Sequence, residues 1–594
     1  MATREKTAEG LMLFISRSYI TTEANRTGSW RFLKPRYVEK TSPCSAACPA
    51  GEDIARVEML THQAQFKEAW ETILWENPFP GVCGRVCFHP CEGRCNRLEH
   101  DEAVAIHRIE RFVADTAKRN GFRREGRVPP ARPERIAVVG AGPAGLSFAY
   151  FMARLGYGCH VFESSPEAGG VLRWGIPLYR LPEEALRHDI SHIEEAGVTI
   201  ETNRRVDADI VTSSSYDAVF LGCGHARSRR IGCEGEDAAD VIAGIEFLGR
   251  IRRGERPSVP GVSLVIGGGN TAVDVARSVV RLGGEAVIVY RRRREDMPAF
   301  AAEIDAADEE GIAIRTLLAP ASIQRDGTGC RMTVRRMAVV GVDEDGRGRI
   351  APEGEQYEEI EADRIFSAIG EEASEDWHRP PADGTGVRRF SQSVMAVPKS
   401  GPVVFYGGDV TTETKSVVYA VASGKEAAIA ADVYFRAGAG AIEGTLSRCR
   451  VGDGQSLSME IYCEGPRSER NPHVVMSDEI NTDYFDLAPR ITQPRLMRDE
   501  RVQGFDEIDL RLSATMAMQE AGRCFNCGIC NQCDNCFLFC PDLAVVRDET
   551  NPQGRYINYD YCKGCGLCVV ECPRNAMVLI EESDEVLCEE PEDE

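Results

Sequence analysis

The sequence predicts an α/β protein, and three observations lead to this fold class. Two glycine-rich stretches, "VVGAGPAGL" and "VIGGGNTAVD", each stand between an apolar strand pattern and a helix pattern. Cysteines are concentrated near both ends, with six from Cys44 to Cys95 and ten from Cys524 to Cys572. The chain of 594 residues is also too long for one hydrophobic core. A typical domain size of about 150 residues predicts three or four domains.

Composition excludes several classes of protein. Hydrophobic residues make up 43% of the chain and charged residues 27%, as in a soluble globular protein. The net charge of −23 argues against a nucleic-acid partner, which requires a basic surface. No apolar run is long enough to cross a membrane, and "LMLFI" near the start is too short for a secretory signal. We therefore expect a cytoplasmic protein without membrane insertion, whose 23 cysteines serve metal binding better than disulfides.

The acidic charge is concentrated at the carboxyl end. From Cys524 to Glu594 there are fifteen acidic and four basic residues, ending in "EESDEVLCEEPEDE". Two interpretations stay open for this segment. It is either a solvated tail or a docking surface for a basic redox partner.

Two cysteine runs near the carboxyl end share the spacing C-x2-C-x2-C-x3-C-P. This doubled spacing is typical of bacterial two-cluster ferredoxins, in which the fourth cysteine of each run binds the other run's cluster. The fourth cysteine points toward the other cluster because it precedes proline and is pushed into an extended conformation. The spacing therefore predicts two [4Fe–4S] clusters, one held by Cys530, Cys533, Cys536 and Cys572 and the other by Cys562, Cys565, Cys568 and Cys540.

Two further cysteines, Cys524 and Cys527, precede these runs. Three roles stay open for them: capping the domain, packing beside a cluster, or acting as alternative ligands. A pair of zinc ribbons, the alternative for the whole segment, would have two C-x2-C pairs and no doubled x3-C-P. The spacing favours iron–sulfur clusters and hence electron transfer.

The first glycine loop has the context of a dinucleotide-binding fold. An apolar strand runs into the glycine turn, a helix follows, and a second strand ends at Glu163. Glycines allow close approach of a pyrophosphate at the helix amino terminus, and the acid accepts ribose hydroxyls. We predict an FAD site that includes Gly140, Gly142, Pro143, Ala144, Gly145 and Glu163.

The second glycine loop differs at the end of its second strand, where Arg291 and Arg292 replace the acid. Guanidinium groups bind a 2′-phosphate that a carboxylate would repel, so the pattern favours NADP(H) over NAD(H). An arginine run can also be a solvated strand end. The predicted loop residues are Gly267, Gly268, Gly269, Asn270, Thr271 and Ala272.

A third strand-to-helix turn, "FYGGDVTTETKSVVYA", follows downstream. Gly408 and Asp409 could reach the ribityl or phosphate oxygens of the flavin, with Val417 at the start of the next helix. A plain turn is the alternative. The order of the motifs predicts an FAD-binding fold that is interrupted by the nucleotide-binding fold and then resumes.

The amino-terminal cysteines occur in "SPCSAACPAGEDI" and "GVCGRVCFHPCEGRC", on either side of a stretch with helical spacing. With "GGVLRWGIPLYRLP", "GGGNTAVD", "YRRRREDMPA" and "GGDV", these motifs make residues 40 to 440 resemble the small subunit of glutamate synthase and its relatives. The carboxyl-terminal segment resembles that of sulfite-reductase-associated flavoproteins and of reductase subunits that accompany 2-oxoacid oxidoreductases.

The resemblance implies ligands for amino-terminal clusters. It implies one [4Fe–4S] cluster on Cys48, Cys87, Cys91 and Glu110. A second cluster of the family takes two ligands from a C-x2-C pair upstream of Cys44, which this chain lacks. Cys44 and Cys95 match that second site, and Cys83 is a possible replacement ligand. One or two amino-terminal clusters are therefore expected, and a non-cysteine ligand at the second is a further alternative. The segment from Gly170 and Leu172 onward is implied to lie over the flavin; a proline-rich linker is the alternative.

The predicted architecture is α/β, with two nested Rossmann-like dinucleotide-binding domains, an α-helical amino-terminal iron–sulfur domain and a carboxyl-terminal 2[4Fe–4S] ferredoxin-like domain. The expected boundaries are an iron–sulfur domain at 1–130, an FAD-binding domain at 131–255 and 375–445, an NAD(P)-binding domain at 256–374, an extended arm at 446–521 and a ferredoxin-like domain at 522–594.

These expectations describe an oxidoreductase that passes electrons between NAD(P)H and a one-electron acceptor through FAD and [4Fe–4S] clusters. Hydride transfer needs stacked rings more than acids or bases, so no catalytic side chain is predicted. The expected partner is ferredoxin or an oxidoreductase subunit of the 2-oxoacid oxidoreductase, sulfite reductase or glutamate synthase large subunit type. Oligomers are compatible with the sequence. The alternatives are a glutamate synthase small subunit proper, and a non-catalytic electron-transfer subunit, suggested by the acids of "SAIGEEA".

Overall fold

The computed structural model describes residues 26–124, 131–237, 241–327, 329–343, 346–382, 384–548, 550 and 554–582. These residues form two compact units. The larger unit contains residues 40–477 and 485–527, and the smaller unit contains the described parts of 26–39, 478–484 and 528–582. The "LMLFI" stretch and most of the acidic tail lie outside the described residues. None of the described helices is both long and apolar enough to cross a membrane.

The helices of the described residues are α1 Pro43–Ala47, α2 Ile54–His62, α3 Phe66–Glu76, α4 Pro80–Val86, α5 Ile106–Asn120, α6 Pro143–Arg154, α7 Val171–Trp174, α8 Glu183–Glu195, α9 Gly244–Arg252, α10 Asn270–Arg281, α11 Ala301–Glu309, α12 Val417–Ala437, α13 Ile442–Arg448, α14 Met459–Tyr462, α15 Arg498–Arg501, α16 Ala514–Gly522, α17 Asn535–Leu538 and α18 Leu567–Val570.

The strands are β1 Leu33–Tyr37, β2 Lys40–Thr41, β3 Arg135–Val139, β4 Gly158–Phe162, β5 Thr199–Glu201, β6 Ala218–Leu221, β7 Arg227–Ser228, β8 Val241–Ala243, β9 Val262–Ile266, β10 Glu285–Tyr290, β11 Ala313–Thr316, β12 Leu318–Asp326, β13 Gly329–Val342, β14 Gly348–Ala362, β15 Arg364–Ser367, β16 Glu371–Glu372, β17 Val387–Arg389, β18 Val394–Ala396, β19 Val403–Tyr406, β20 Asn471–Val474, β21 Val545–Arg547, β22 Arg555–Ile557 and β23 Met577–Glu581.

The amino-terminal part of the larger unit is helical, as the 3.6-residue spacing of its apolar side chains predicts. Helices α2 to α5 bury Trp70, Ile73, Phe79 and Phe112 in one core. Helix α5 ends at Gly121, which has the left-handed conformation common after helix ends. These helices and the turns between them hold the six amino-terminal cysteines, and Cys44 and Cys83 lie within α1 and α4.

A seven-stranded sheet with the order β17-β18-β19-β6-β3-β4-β5 forms the first dinucleotide fold. Strands β3, β4, β5, β6 and β19 are parallel, and β17 and β18 add an antiparallel edge. Helices α6 and α12 pack against each other next to this sheet. The chain leaves this sheet after β6 and returns to it at β17, which confirms that one fold interrupts the other.

The interrupting fold is a parallel sheet with the order β11-β10-β9-β15-β8. Strand β8 pairs with β15, and α9 packs against α10, so this fold already begins at about residue 241 and not at 256 as the sequence suggests. A three-stranded antiparallel sheet, β12-β13-β14, extends from it. The apolar clusters of the interrupting fold are separate from that of the first fold.

The expected arm contains short elements that pack back on the helical part. Strand β20 pairs with β2, and α16 packs against α2. Buried Lys425 of α12 lies 2.6 Å from the Glu76 carboxylate, and Glu76 also accepts a hydrogen bond from the Met459 amide at 2.7 Å. The segment is therefore part of the larger unit rather than a free linker.

The smaller unit combines both ends of the described chain. Strand β1 pairs antiparallel with β23, and β21 pairs antiparallel with β22. Residues 26–39, which the sequence groups with the helical domain, thus belong to this unit. Its core contains Cys536, Val545, Ile557, Cys568 and Met577, so a large share of its packing involves cysteine side chains.

Candidate functional site

The first glycine loop leads from β3 into α6 by a close backbone turn. Gly140 has φ 98°, and a Cβ atom at Gly145 would lie 2.0 Å from the Gly140 carbonyl oxygen. Gly142 is the N-cap residue of α6 and Pro143 occupies the first turn. The amino terminus of α6 therefore opens toward the cleft, where its free N–H groups suit a phosphate.

Glu163 follows the end of β4, and its buried carboxylate is held by the backbone. Oε2 accepts a hydrogen bond from the Ala141 amide at 2.9 Å, and Oε1 accepts one from the Ser165 amide at 2.7 Å. Glu163 also lines the cleft. Oε1 also accepts a hydrogen bond from the Ser164 hydroxyl at 3.4 Å, whereas Oε2 keeps a lone pair for a ribose hydroxyl of a bound adenosine.

The segment around α7 lies beside this loop. A Cβ atom at Gly170 would come within 2.9 Å of the Gly142 Cα atom. Leu172 is buried, and it lines the cleft together with Trp174 and Ile176. The segment that the resemblance places over the flavin thus borders the predicted flavin site.

The turn after β19 brings a third group of residues to the cleft. The Gly408 amide donates a hydrogen bond to the Ser423 hydroxyl of α12 at 2.8 Å. Burial raises the pKa of the Asp409 carboxyl, and the charge of Lys415 opposes that shift. Lys415 donates hydrogen bonds to the carbonyl oxygens of Asp409 and Thr412. Asp409 and Val417 both line the cleft.

The second glycine loop repeats the turn between β9 and α10. A Cβ atom at Gly267 would lie 2.1 Å from the Ala368 carbonyl oxygen, and one at Gly268 would lie 2.5 Å from the Tyr290 ring. Gly269 is the N-cap residue of α10. The Asn270 side-chain oxygen accepts a hydrogen bond from the Phe300 amide at 3.0 Å, which fixes the first residue of the helix.

The four arginines after β10 divide into two pairs. Arg293 forms an ion pair with Asp296 at 2.8 Å, and Arg294 forms one with Asp308. Within the described residues, Arg291 and Arg292 form no ion pair, and the buried Nε of Arg292 has no hydrogen-bond partner. Both line the cleft, so their donors are available to a bound anion.

One cleft of about 1950 Å³ contains both glycine loops. It also includes Phe88 and Arg347, which sequence reasoning missed, and Glu371, the first acid of "SAIGEEA". Burial, and then Asp409, raises the pKa of the Glu371 carboxyl. The neighbouring Glu372 instead pairs with Arg227 at 2.6 Å. Arg347 comes from the β13–β14 turn, and only its tertiary position connects it with Arg291 and Arg292.

Most of the predicted nucleotide-site residues lie on the wall of this cleft. Gly145 and Ala272 do not line the cleft, although they lie in the first turns of α6 and α10. The residues on the wall are Gly140, Gly142, Pro143, Ala144, Glu163, Gly170, Leu172, Gly267, Gly268, Gly269, Asn270, Thr271, Arg291, Arg292, Gly408, Asp409 and Val417.

The amino-terminal cysteines form two groups. In the first group, the Cys48 thiol interacts with Cys87 and Glu110, and the Cys91 thiol interacts with Cys48 and Cys87. Burial, followed by the charge of Glu52, raises the pKa of the Glu110 carboxyl. The four ligands implied by the resemblance are therefore close together in a buried site, as a cluster with three thiolates and one carboxylate requires.

The second group contains Cys44 and Cys95, whose thiols interact electrostatically. Cys83 does not belong to it. Its strongest electrostatic neighbours are Glu110, Cys87 and Glu52, so the structure places this possible replacement ligand with the first group. The side chain of Cys83 is held inside α4 on the face that packs against α5, which explains the difference.

The carboxyl-terminal cysteines of the smaller unit also form two groups. A small cavity of about 20 Å³ is lined by Cys540, Cys562, Cys565 and Cys568. The thiols of Cys530, Cys536 and Cys572 interact with one another, and Cys572 also interacts with Cys533. Each group combines three cysteines of one run with the fourth of the other. This is the crossed ligand pattern that the doubled spacing predicts, and four sulfurs around one small cavity suit a cubane cluster.

Comparisons with known proteins now give the family. Residues 134–424 match the family described as pyridine nucleotide-disulphide oxidoreductase. Residues 17–122 match dihydropyrimidine dehydrogenase domain II, 4Fe-4S cluster, and residues 555–578 match the 4Fe-4S binding domain. The NADP(+)-dependent formate dehydrogenase subunit beta of Moorella thermoacetica is 34% identical over 82% of this chain and 70% of the relative. The chain belongs to the glutamate synthase small subunit-like FAD/NAD(P) oxidoreductases.

Two further relatives of this family are similar to the chain. The NADPH-Fe(3+) oxidoreductase subunit beta of Geobacter sulfurreducens is 32% identical over 83% of this chain and 76% of the relative. The glutamate synthase [NADPH] small chain of Escherichia coli is 34% identical over 65% of this chain and 87% of the relative. The predicted family, fold class and cofactor classes are thereby confirmed: the protein is an iron–sulfur flavoprotein oxidoreductase that uses NAD(P)H.

Proposed function

We propose that this protein is an NADPH:acceptor oxidoreductase in which electrons enter at the cleft of the larger unit and leave singly through cysteine-bound [4Fe–4S] clusters. The observation that carries the proposal is that both glycine loops open into one cleft whose wall includes Phe88, the residue next to Cys87. The coenzyme site, the flavin site and an iron–sulfur ligand are thus parts of one compact unit.

The choice of NADPH is supported by the two arginines without ion pairs. Arg291 and Arg292 follow the strand end where an NAD-specific fold has an acid, and they line the cleft together with Arg347. A 2′-phosphate would receive charge-assisted hydrogen bonds from groups that otherwise face solvent. Such bonds contribute about 1.5–3 kcal/mol each.

The route out of the cleft is supported by aromatic contacts at Phe88. Its ring stacks on Phe300 of the nucleotide-binding fold at 5.9 Å and on Tyr419 of α12 at 6.2 Å. Cys87, the next residue toward the amino terminus, lies in the first cysteine group. Phe88 therefore connects the wall of the flavin site with a cluster ligand through a single peptide unit.

The residues of this chain act by position. When bound, FAD would accept a hydride from NADPH and pass single electrons to the clusters. Glu163 and the α6 amino terminus would hold the adenosine part, while Leu172 and the α7 segment cover the cleft. The apolar side chains of Phe88 and Leu172 on the cleft wall would limit the access of water to bound cofactors.

Reduction of a one-electron acceptor under anaerobic conditions tests the proposal. Reconstituted protein should reduce ferricyanide or a viologen dye with NADPH, and should do so at least tenfold more efficiently than with NADH. An equal rate with NADH would contradict the choice of coenzyme. If NADPH leaves the flavin oxidised, the protein is instead a non-catalytic electron-transfer subunit, the class suggested by Glu371 on the cleft wall.

The relatives named as a subunit beta or a small chain support a role within a larger oxidoreductase. We propose a partner subunit or a ferredoxin as the physiological acceptor. Cysteines that hold iron–sulfur clusters must stay out of disulfides, so we also propose a location in the reducing cytoplasm. Native purification followed by identification of co-eluting proteins tests both statements.

A further inference from the structure

Cys524 and Cys527 have no role in the two ferredoxin ligand sets. They also lie outside both segments that match iron–sulfur families, residues 17–122 and 555–578. The structure places them in the larger unit, whereas the following ligand runs are in the smaller unit. Their neighbours are therefore the amino-terminal cysteines, more than 400 positions away in the sequence.

The segment that carries them is fixed to the helical domain by specific contacts. Helix α16 packs against α2. Arg97 donates a hydrogen bond to the Arg523 carbonyl oxygen at 2.7 Å, and the Asn526 side chain donates one to the Ala55 carbonyl oxygen at 2.9 Å. Arg97 also lies over the Phe525 ring, 5.0 Å from its centroid. The C-x2-C turn is thus held at both of its inner residues.

The four sulfurs form one group, in which Cys44 and Cys527 are buried and Cys95 and Cys524 are half-buried. The Cys524 thiol interacts with Cys44, Cys95 and Cys527, and the Cys44 thiol interacts with Cys95 and Cys527. Cys44 and Cys527 are each 7% exposed. The Asn96 side chain donates a hydrogen bond to the Cys527 sulfur at 3.4 Å, which directs that sulfur toward the residue beside Cys95.

The turn at Cys524 has the local geometry of the predicted cluster-binding turns. Asn526 has φ 48°, and its amide lies 3.4 Å from the Cys524 sulfur as a donor. The first cysteine of each ferredoxin run shows the same pattern. Gln532 has φ 63° and donates its amide to Cys530, and Gly564 has φ 71° and donates to Cys562. Amide donors of this kind stabilise thiolate charge.

We propose that Cys44, Cys95, Cys524 and Cys527 are the ligands of a second amino-terminal [4Fe–4S] cluster. The C-x2-C pair that the family takes from upstream of Cys44 is supplied here from the far end of the chain. The set offers four neighbouring sulfurs and provides the same amide turn as the ferredoxin runs. Zinc would accept four thiolates too, but this group borders Cys91 of the first iron–sulfur group, whose family match is a 4Fe-4S domain.

This ligand set would place two cluster ligands close together along the chain. Cys527 and Cys530 are three positions apart, so their Cα atoms are at most about 11 Å apart in any conformation of the chain. One would hold the second amino-terminal cluster and the other a ferredoxin cluster. The inference rests on the proposed electron-transfer function and extends it.

Metal analysis of two matched variants tests the ligand set. The wild-type protein, reconstituted anaerobically, should contain about 16 iron and 16 acid-labile sulfide per chain, as four [4Fe–4S] clusters require. The Cys524→Ala/Cys527→Ala variant should lose about four of each while it keeps its flavin. Cys159→Ala removes a buried cysteine of β4 that lies outside both cysteine groups, and it should lose none.

Combining the variants makes the test sharper. Adding Cys44→Ala and Cys95→Ala to the double variant should cause no further iron loss, because all four residues serve one cluster. A further loss of iron, unchanged iron in the double variant, or zinc at the site would overturn the ligand set. If the double variant does not fold, the wild-type count decides: about 12 iron per chain contradicts the inference.

The iron count and the flavin reduction test the second cluster and the proposed function separately. About 12 iron with NADPH-dependent flavin reduction would overturn only the second cluster. About 16 iron without flavin reduction would overturn only the proposed function.

Discussion

The two dinucleotide folds share a glycine turn and differ in the residues at the end of their second strands. Gly140 and Gly267 both lie where a strand turns into a helix, and at each a Cβ atom would meet a backbone carbonyl oxygen. After the second strand, however, the first fold has Glu163 and the second has Arg291 and Arg292. The turn thus defines a pyrophosphate site, and the residue at the strand end selects which nucleotide occupies it.

Glu426 of the first fold and Glu310 of the second are both buried acids, but their partners differ. Burial raises the pKa of Glu426 in α12 to about 6, although the Ser393 amide and hydroxyl donate hydrogen bonds to it. Burial acts on Glu310 in the same direction, but hydrogen bonds from Arg281 and Arg277 outweigh it and lower the pKa to about 2. An acid paired with arginines stays charged, while one paired with neutral donors resists charging.

The largest effect is expected from breaking the turn in the first fold. In Gly145→Ala, the new Cβ atom would lie 2.0 Å from the Gly140 carbonyl oxygen, so the loop must shift. We expect a loss of at least about 3 kcal/mol of stability and of the bound flavin. Flavin absorbance of the purified variant measures this. Gly158→Ala in β4 is the matched control, since its Cβ atom meets nothing within 4 Å. Full flavin occupancy in Gly145→Ala would contradict the steric role of this glycine.

The second prediction removes the difference at the strand end. Arg291→Ala/Arg292→Ala should raise KM for NADPH by roughly 10- to 100-fold, because about 1.5–3 kcal/mol of phosphate binding is lost. KM for NADH should change little. Arg294→Ala is the control in the same run, because Arg294 is already paired with Asp308. Equal losses for both coenzymes would show that these arginines do not recognise the 2′-phosphate.

The third prediction concerns the pH dependence of Glu426. Its folded pKa lies above the unfolded value of about 4.3, so the folded state binds the proton more tightly and stability falls as pH rises from about 4.3 to 6. Glutamine does not ionise, so Glu426→Gln does not lose stability in this pH range. Relative to wild type, its free energy of unfolding should improve by about 2 kcal/mol between pH 4.5 and 7. Pulse proteolysis in urea measures the difference, and a pH-independent difference would argue against a charged Glu426.

The smallest effect is expected where the two folds meet at Phe88. Phe88→Leu keeps an apolar side chain but loses both ring contacts, which are worth about 0.5–1.5 kcal/mol each. We expect flavin reduction by NADPH to be unchanged and dye reduction to slow by about two- to tenfold. Stopped-flow measurement of the two steps separates them. Slower flavin reduction with an unchanged dye rate would exclude Phe88 from the outgoing route.

Local sequence patterns predicted much of the fold and site. Glycine loops, strand ends and cysteine spacings depend on residues within about 30 positions, which is why Glu163, Arg291 and Cys562 were found without a structure. They also predicted the order of the two folds. The ferredoxin-like grouping of Cys530 with Cys572 joins the most distant cysteines that the spacing alone could pair.

The remaining features depend on packing between distant segments. Nothing local in "RCFNC" points to Cys44, because the contact depends on the docking of α16 against α2. Arg347 reaches the coenzyme cleft only through the β13–β14 turn, and residues 33–37 join the smaller unit only through pairing with β23. Patterns with a period of two or 3.6 residues carry no information about such partners.

An anaerobic titration with NADPH, followed by flavin absorbance and by electron paramagnetic resonance, tests the proposed electron route most directly. We expect the flavin to bleach and signals of reduced [4Fe–4S] clusters to appear, with more than one equivalent of NADPH consumed per flavin. Bleaching that ends at one equivalent with no iron–sulfur signal, or no bleaching, would contradict a route from the cleft to the clusters.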